Sequence, residues 1–564
     1  MKPQQRLILD TVLLGIIGAL GARLFAFLLK ETETLLLGRL AGYTPPGLTA
    51  GAAGNQIVGG HGLWLIPLVT TLGGLLSGLL VYSLAPEAEG HGTDTAVKSF
   101  HYASGFIRAR VAPLKMVASA ITIGSGGAAG QEGPTALISA GFGSVYATLG
   151  KRTDEERRLL VLMGMAAGLS AIFRSPIGTA IFAVEFLYSD MEFDAGALFY
   201  TMIASVVAYA VNGLLVGWEP LFRVPADIGA DFVDYFRYGA MGIAAGIVAV
   251  LLPMVFYGLR DAFHSIPIPP HFKPALGGLG IGLIALVLPQ VLGGGYGWIQ
   301  QAIDGHLAGV VLLSLIFAKM VAFAFTVSSG GSGGVFAPSL FVGAMLGGLA
   351  AHLFHQPAAG FVVVGMAAVF GGAARVPLAT ILMVTEMTGG YHLLGAAALT
   401  VMLSYMIQKA LSESLKYRTL YEAQVAGRAD SPAHHVEQLE CAVHLLGTSR
   451  VNMPSTCTHL DLRALIASGI PVDLPDGKRL VMGMLRPKSP YVGMKVHEVF
   501  PLEKREELEV VAVFRQGHTL LPHTGLVFQS DDRVMAVTTP SAWKRLADHF
   551  SPYRFDAPQA GGAG

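Results

Sequence analysis

The feature that most constrains this chain is an apolar block that occurs twice, interrupted both times by glycine and proline. Residues 115–140 read KMVASAITIGSGGAAGQEGPTALISA and residues 319–344 read KMVAFAFTVSSGGSGGVFAPSLFVGA, an offset of 204 with 12 identities in 26 positions. A second pair follows: Val161 to Phe186 matches Val362 to Met387, sharing an arginine (Arg174, Arg375), a proline (Pro176, Pro377) and a late glutamate (Glu185, Glu386). Duplicated halves with broken apolar segments at corresponding places point to a transport site between two repeats of a membrane protein. The spacing alone leaves open whether the halves run parallel or inverted.

One carboxylate interrupts the first block and is not repeated: Glu132, in Gly130-Gln131-Glu132-Gly133-Pro134, has Phe336 as its counterpart. A charge at mid-depth in lipid costs about 3 kcal/mol on insertion scales, so an acid retained there points to function. The chain is hydrophobic enough to be in lipid. It has 52% hydrophobic and 13% charged residues, against about 25% charged in soluble proteins. With 38 basic and 38 acidic residues it carries no field for nucleic acid, and its 71 glycines suit close helix packing. Cys441 and Cys457 lie outside the apolar part and read as ordinary thiols. No secretory signal is recognisable ahead of the first apolar run.

Apolar runs predict spans at Leu7 to Leu29, Leu63 to Leu84, Ala195 to Val216 and Tyr235 to Leu259. Further runs cover Leu276 to Leu292, Leu307 to Val327, Phe336 to Leu353, Phe361 to Ala374, Leu378 to Met387 and Leu393 to Gln408. Several are shorter than the roughly 20 residues a bilayer requires, which implies half-spanning helices meeting inside the protein. Ala85 to Ala112 reads as a loop, Lys151 to Arg158 as a charged helix start capped by Thr153 or Asp154, and Ser412 to Ala426 as a last amphipathic helix carrying Tyr421. The fold class is therefore an all-α polytopic membrane protein with an internal repeat and broken helices, followed by a small α/β C-terminal domain. The expected division is a transport domain at 1–427 (repeats about 7–216 and 233–427), a linker at 428–480, a compact module at 481–552 and a disordered tail at 553–564. Within the module Glu509 to Phe514, Thr519 to Pro522 and Arg533 to Thr538 read as strands, and Pro540 to Phe550 as a closing helix.

The motifs Gly130 to Pro134, Gly334-Val335-Phe336-Ala337-Pro338, Arg174-Ser175-Pro176 with Phe182 to Glu185, Thr385 to Thr388 and Leu420-Tyr421 resemble the CLC family of chloride channels and chloride/proton antiporters, over residues 7 to about 427. The resemblance implies an inverted repeat and a homodimer in the cell membrane, with chloride as the transported ion, protons as a candidate second cargo, and a cytoplasmic C-terminal domain. It further implies that the amides of Val335 and Phe336 and the hydroxyl of Tyr421 contact a central anion, with Glu132 as the gate. Helix N-termini ending mid-membrane offer unpaired N–H groups and the positive end of a macrodipole, which hold an anion without a fixed cation.

Two departures bear on mechanism. The inner glutamate that carries protons in the antiporters would follow Glu185, where Phe186 stands; a phenylalanine cannot relay a proton, so either water or another group does so or the protein is a passive channel. The central hydroxyl, expected 41 positions before Glu132, is replaced by His91 in Gly90-His91-Gly92-Thr93-Asp94. A histidine there donates an N–H to an anion, or binds it in a pH-dependent way once charged. Glu185 and Glu386 read as structural acids bonded to backbone N–H groups or paired with Arg174 or Arg375, and Lys115 and Lys319 as snorkelling to the interface.

The C-terminal stretch, with Arg486 to Pro490, Val492-Gly493, Glu509 to Phe514 and Ser530 to Val534, resembles the RCK C-terminal (TrkA-C) module. Such modules dimerise and some bind cyclic dinucleotides. The leading reading is a chloride pathway of channel-like or weakly proton-coupled character. The alternatives are a tightly coupled antiporter and a membrane-anchored sensor without flux. No metal spacing, nucleophile elbow or phosphate loop suggests an enzyme or a resident cofactor.

Overall fold

The computed structural model describes residues 3–48, 56–60, 62–225, 231–431, 433, 472–473, 478–487, 489–500, 508–515, 518–520, 526–530, 532–546 and 549–552. It divides into Met1–Gly427 and Arg428–Gly564. Most of the expected linker, all of the expected tail and both cysteines lie outside the described residues.

The first unit is helical. Its first half runs α1 (Pro3–Glu33), α2 (Ile66–Leu84), α3 (Thr93–Tyr102), α4 (Val111–Gly124), α5 (Glu132–Leu149), α6 (Asp154–Phe173), α7 (Pro176–Glu185) and α8 (Ala195–Val216). The second half runs α9 (Phe232–Ser265), α10 (Lys273–Ala285), α11 (Tyr296–Ile303), α12 (Gly309–Ser328), α13 (Phe336–Phe354), α14 (Ala358–Ala374), α15 (Pro377–Thr388) and α16 (Leu394–Ser412). The repeated blocks fall on α4 to α7 and α12 to α15, so the duplication extends helix by helix. Among the described residues seven helices are long and apolar enough to cross a membrane. Others, such as α7 with 10 residues and α15 with 12, are half-length pieces. Between α1 and α2 the two-residue strands β1 (Tyr43–Thr44) and β2 (Ile57–Val58) pair antiparallel.

Local chemistry explains the breaks. Thr153 caps α6 in a capping box with Glu156, as its position before an acidic turn predicts. The shared arginines 174 and 375 end α6 and α14 in the left-handed conformation, each at φ 55°. Two residues later comes the shared proline, first in α7 and α15, where its fixed φ suits a helix start.

Three expectations are corrected. The stretch read as a loop at 85–112 contains α3, whose buried Ala96, Val97 and Phe100 face the protein rather than water. Beyond α16 no helix covers 413–426. Leu420, Tyr421 and Ala423 are buried there in a turn, tied down by Leu420 N–H to Ala373 O (3.0 Å) and by Gln424 Nε2 to Phe186 O (3.0 Å). Finally, the closing helix of the module ends early, as described below.

The second unit is built on an antiparallel sheet. Its strands are β3 (Val472–Asp473), β4 (Arg479–Leu485), β5 (Leu508–Arg515), β6 (His518–Leu520), β7 (Arg533–Thr538) and β8 (Phe550–Pro552), in the order β3-β4-β7-β5-β6 with β8 on β4. The short helices α17 (Val496–Val499) and α18 (Pro540–Leu546) accompany it. Phe550 belongs to β8, not to the helix, and joins Leu485, Val513, Phe528 and Val534 in the core. Asp532 accepts two 2.8 Å bonds from Arg515 and one from the Gln529 amide, which fixes the turn into β7.

Candidate anion pathway

The repeat equivalence becomes geometric at the two glycine motifs. Gly130 and Gly334 form an antiparallel bridge, each N–H donating to the other's carbonyl at 2.7 Å. Glu132 opens α5 and Phe336 opens α13, so two helix N-termini meet at this bridge. Glycine is required for the approach: a Cβ on Gly133 would collide with the His91 carbonyl oxygen and the Gly334 Cα. The first-turn amides of both helices have no acceptor within their own helix.

Glu132 is 2% exposed. Neither carboxylate oxygen meets a hydrogen-bond geometry with a donor among the described residues, while the backbone amides of Glu132 itself and of Ala337 are within electrostatic reach of it. Among the described residues no side chain pairs with this buried acid.

A third broken segment, Gly90-His91-Gly92, adjoins this junction. Both glycines have positive φ, 67° and 83°. The segment is anchored by Lys115, whose Nζ donates to Ala88 O at 2.9 Å and Gly90 O at 2.6 Å, and by the Gly333 amide on Gly90 O at 3.2 Å. Lys319 repeats the arrangement on Val291 O (2.8 Å) and Gly293 O (2.7 Å). Both lysines are fully buried, so the snorkelling expectation is wrong. Carbonyls released where helices break satisfy the Nζ donors and offset the cost of leaving water.

His91 is 6% exposed and places Nε2 at 3.1 Å from Asp94 Oδ2. Its ring lies 5.6 Å from that of Tyr421 and 6.3 Å from that of Phe256. Asp94 also accepts from the Ala423 amide at 3.2 Å, which ties the start of α3 to the Tyr421 turn. Tyr257 Oη donates to Leu420 O at 2.9 Å and pins the same turn from α9.

Phe186 is fully buried. It stacks on Phe182 at 5.1 Å and meets Tyr421 edge-on at 6.3 Å. Phe182 in turn lies 6.4 Å from Phe336, which packs on Phe370 at 4.2 Å and Phe173 at 4.4 Å. His91, Tyr421, Phe186 and Phe336 are thus joined by consecutive ring contacts, and His91 and Phe336 each adjoin the segments around Glu132.

Glu185 and Glu386 exchange caps between repeats. Glu185, at the end of α7, accepts from the Leu378 and Ala379 amides at the start of α15, at 3.1 and 2.7 Å. Glu386, near the end of α15, accepts from Ile177 and Gly178 at the start of α7, at 3.1 and 2.9 Å, and from Ser175 Oγ at 2.5 Å. Their structural role holds, and the partners are backbone amides and the Ser175 hydroxyl rather than Arg174 or Arg375. Arg375 instead donates to Gln408 and Ser412, and Arg174 to Glu219 O. Sequence reasoning missed Asp94 and the lysine anchors, although the repeat of Lys115 at Lys319 was a usable signal.

Comparison with known proteins places the chain. The family profile for voltage gated chloride channels matches residues 73–409, and that for the TrkA-C domain matches 484–551. The H(+)/Cl(-) exchange transporter ClcA of Salmonella agona is 29% identical over 385 residues, covering 65% of this chain and 81% of that protein. The voltage-gated ClC-type chloride channel ClcB of Shigella flexneri is 28% identical over 371 residues, covering 63% and 86%. The crystal structure of a slow cyanobacterial Cl-/H+ antiporter superposes with a TM-score of 0.64 at 21% identity, covering 74% of this chain and 96% of that one, and so shares the fold. The chain belongs to the voltage gated chloride channel (CLC) family, as a multi-pass membrane transport protein for chloride with a TrkA-C domain at residues 484–551.

Proposed function

We propose that each subunit of a homodimer carries chloride through its own pore. The pore passes the amides of Val335 and Phe336, the Tyr421 hydroxyl and His91, and Glu132 is its gate. The observation that carries this reading is the Glu132 carboxylate, 2% exposed and unpaired among the described residues at the first turn of α5. A negative group held at a helix N-terminus occupies the place that suits a transported anion. It vacates that place when protonated or displaced.

Phe186 favours channel-like or weakly proton-coupled conduction, because a fully buried, stacked aromatic ring offers no proton acceptor on that side. The test is chloride flux from proteoliposomes with simultaneous recording of proton movement. A chloride gradient is expected to drive chloride with little proton counter-movement, and Glu132→Gln to lose the part of the pH dependence that belongs to the gate. Uphill proton pumping by a chloride gradient would establish the tightly coupled antiporter, the activity named for the ClcA relative. Unchanged pH dependence in Glu132→Gln would remove the gate role. Ligand binding by the full chain with no flux at all would return the anchored sensor. The TrkA-C domain is read as a cytoplasmic regulatory and dimerising module, with a cyclic dinucleotide as the ligand to assay first.

A further inference from the structure

His91 has one ring nitrogen engaged and the other buried without a partner. Nε2 lies 3.1 Å from Asp94 Oδ2, and a carboxylate only accepts, so Nε2 carries the proton in the neutral ring. Nδ1 then presents a lone pair. It is buried and finds no hydrogen-bond partner among the described residues. A lone pair cannot bind an anion, whereas a second proton turns the same atom into a charged donor. The ring sits against Tyr421, in the position that the proposed pathway gives to the central anion.

We infer that His91 binds the central anion only as imidazolium, so that chloride and a proton enter this site together, and that Asp94 is the positioning residue that enforces it. The inference rests on the pathway proposed above. The proton comes from water to Nδ1 as the anion arrives and returns to water when the anion leaves. Phe186, packed edge-on against Tyr421, offers no proton acceptor beside this site.

The charged and titratable neighbours come from every side. Asp94 and Lys98 belong to α3, and Lys98 acts on Asp94. Lys115 of α4 bonds the Gly90 carbonyl. Glu132 of α5 precedes Gly133, which abuts the His91 carbonyl. Tyr257 of α9 is within electrostatic reach of Asp94, and Tyr421 packs on the ring. Of these, Asp94 is the one in direct contact with the ring. Because Glu132 titrates too, it has to be silenced in any test.

The experiment is calorimetric titration of chloride into full-length Glu132→Gln protein in detergent, in buffers of different ionisation enthalpy. On the alkaline side, uptake of close to one proton per chloride is expected, with apparent affinity falling by about tenfold per pH unit. Adding His91→Ser supplies a hydroxyl donor that does not titrate, so binding should persist with no proton uptake and no pH dependence. Adding Asp94→Asn lets the side-chain amide donate to Nε2 and frees the other tautomer, so proton uptake should fall while binding remains. A merely structural Asp94 would lower affinity and leave the proton count unchanged. Equal proton uptake with and without His91 overturns the inference and leaves the pathway intact. Absence of chloride binding in every variant overturns the pathway itself.

Discussion

Replacing Glu386 by alanine tests how the two repeats hold each other. The carboxylate is 9% exposed and accepts from the Ile177 amide (3.1 Å), the Gly178 amide (2.9 Å) and Ser175 Oγ (2.5 Å). Alanine leaves two amides at the start of α7 without an acceptor. A buried donor left unpaired costs about 1–3 kcal/mol, and loss of a helix N-cap about 0.5–2 kcal/mol. The two descriptions overlap, so the expected destabilisation is about 2–4 kcal/mol, with the serine hydroxyl free to turn elsewhere. Glu185→Ala strands Leu378 and Ala379 in the same way and should cost a similar amount. Glutamine keeps one acceptor oxygen and should recover about half of the loss. The assay is the midpoint of thermal unfolding in detergent, read by the surviving monodisperse fraction. Both alanine variants are expected to unfold several degrees earlier, and the double variant by less than the sum, since α7 and α15 are packed together. Wild-type midpoints for both single variants would refute the reasoning.

The lysine anchors give a matched pair. Lys319→Met leaves the Val291 and Gly293 carbonyls without their Nζ donor and should destabilise by about 1–3 kcal/mol in the same unfolding assay, whereas Lys115→Met should cost less, because Ala88 O keeps the Ser332 hydroxyl and Gly90 O keeps the Gly333 amide. Of the two, only Lys115→Met should also disturb chloride flux, because its carbonyls belong to the segment carrying His91. Gly133→Ala drives a methyl group into the His91 carbonyl and Gly334 Cα. It should cost about 1–3 kcal/mol by overpacking and lower flux at least tenfold; wild-type flux would show that the junction tolerates separation.

Much of this architecture was legible before any coordinates, because membrane helices announce themselves by length and hydropathy. The span Ala195–Val216 falls where the apolar run predicts it. The duplication located the junction, since only glycine permits the contact between Gly130 and Gly334. The short α3 escaped notice because its sequence, TDTAVKSFHY, is polar enough to pass for a surface loop, and only packing shows which residues are inside. The turn at 413–426 misled for the opposite reason, its apolar residues having a helix-like spacing while serving a non-helical core contact. The partners of Glu185 and Glu386 were out of reach, because their acceptor bonds join residues 193 to 211 positions apart. Asp94 was visible three residues after His91, but its role depends on a helix that the polar reading hid.

The measurement closest to the central claim is anomalous diffraction from bromide-soaked crystals of the wild-type protein and of Glu132→Gln. A bromide peak is expected beside the Phe336 amide, Tyr421 and His91 in both, with a second peak in Glu132→Gln alone, where the wild-type carboxylate lies. Bromide absent from the junction of α5 and α13, or an identical pattern in the two crystals, would contradict the account.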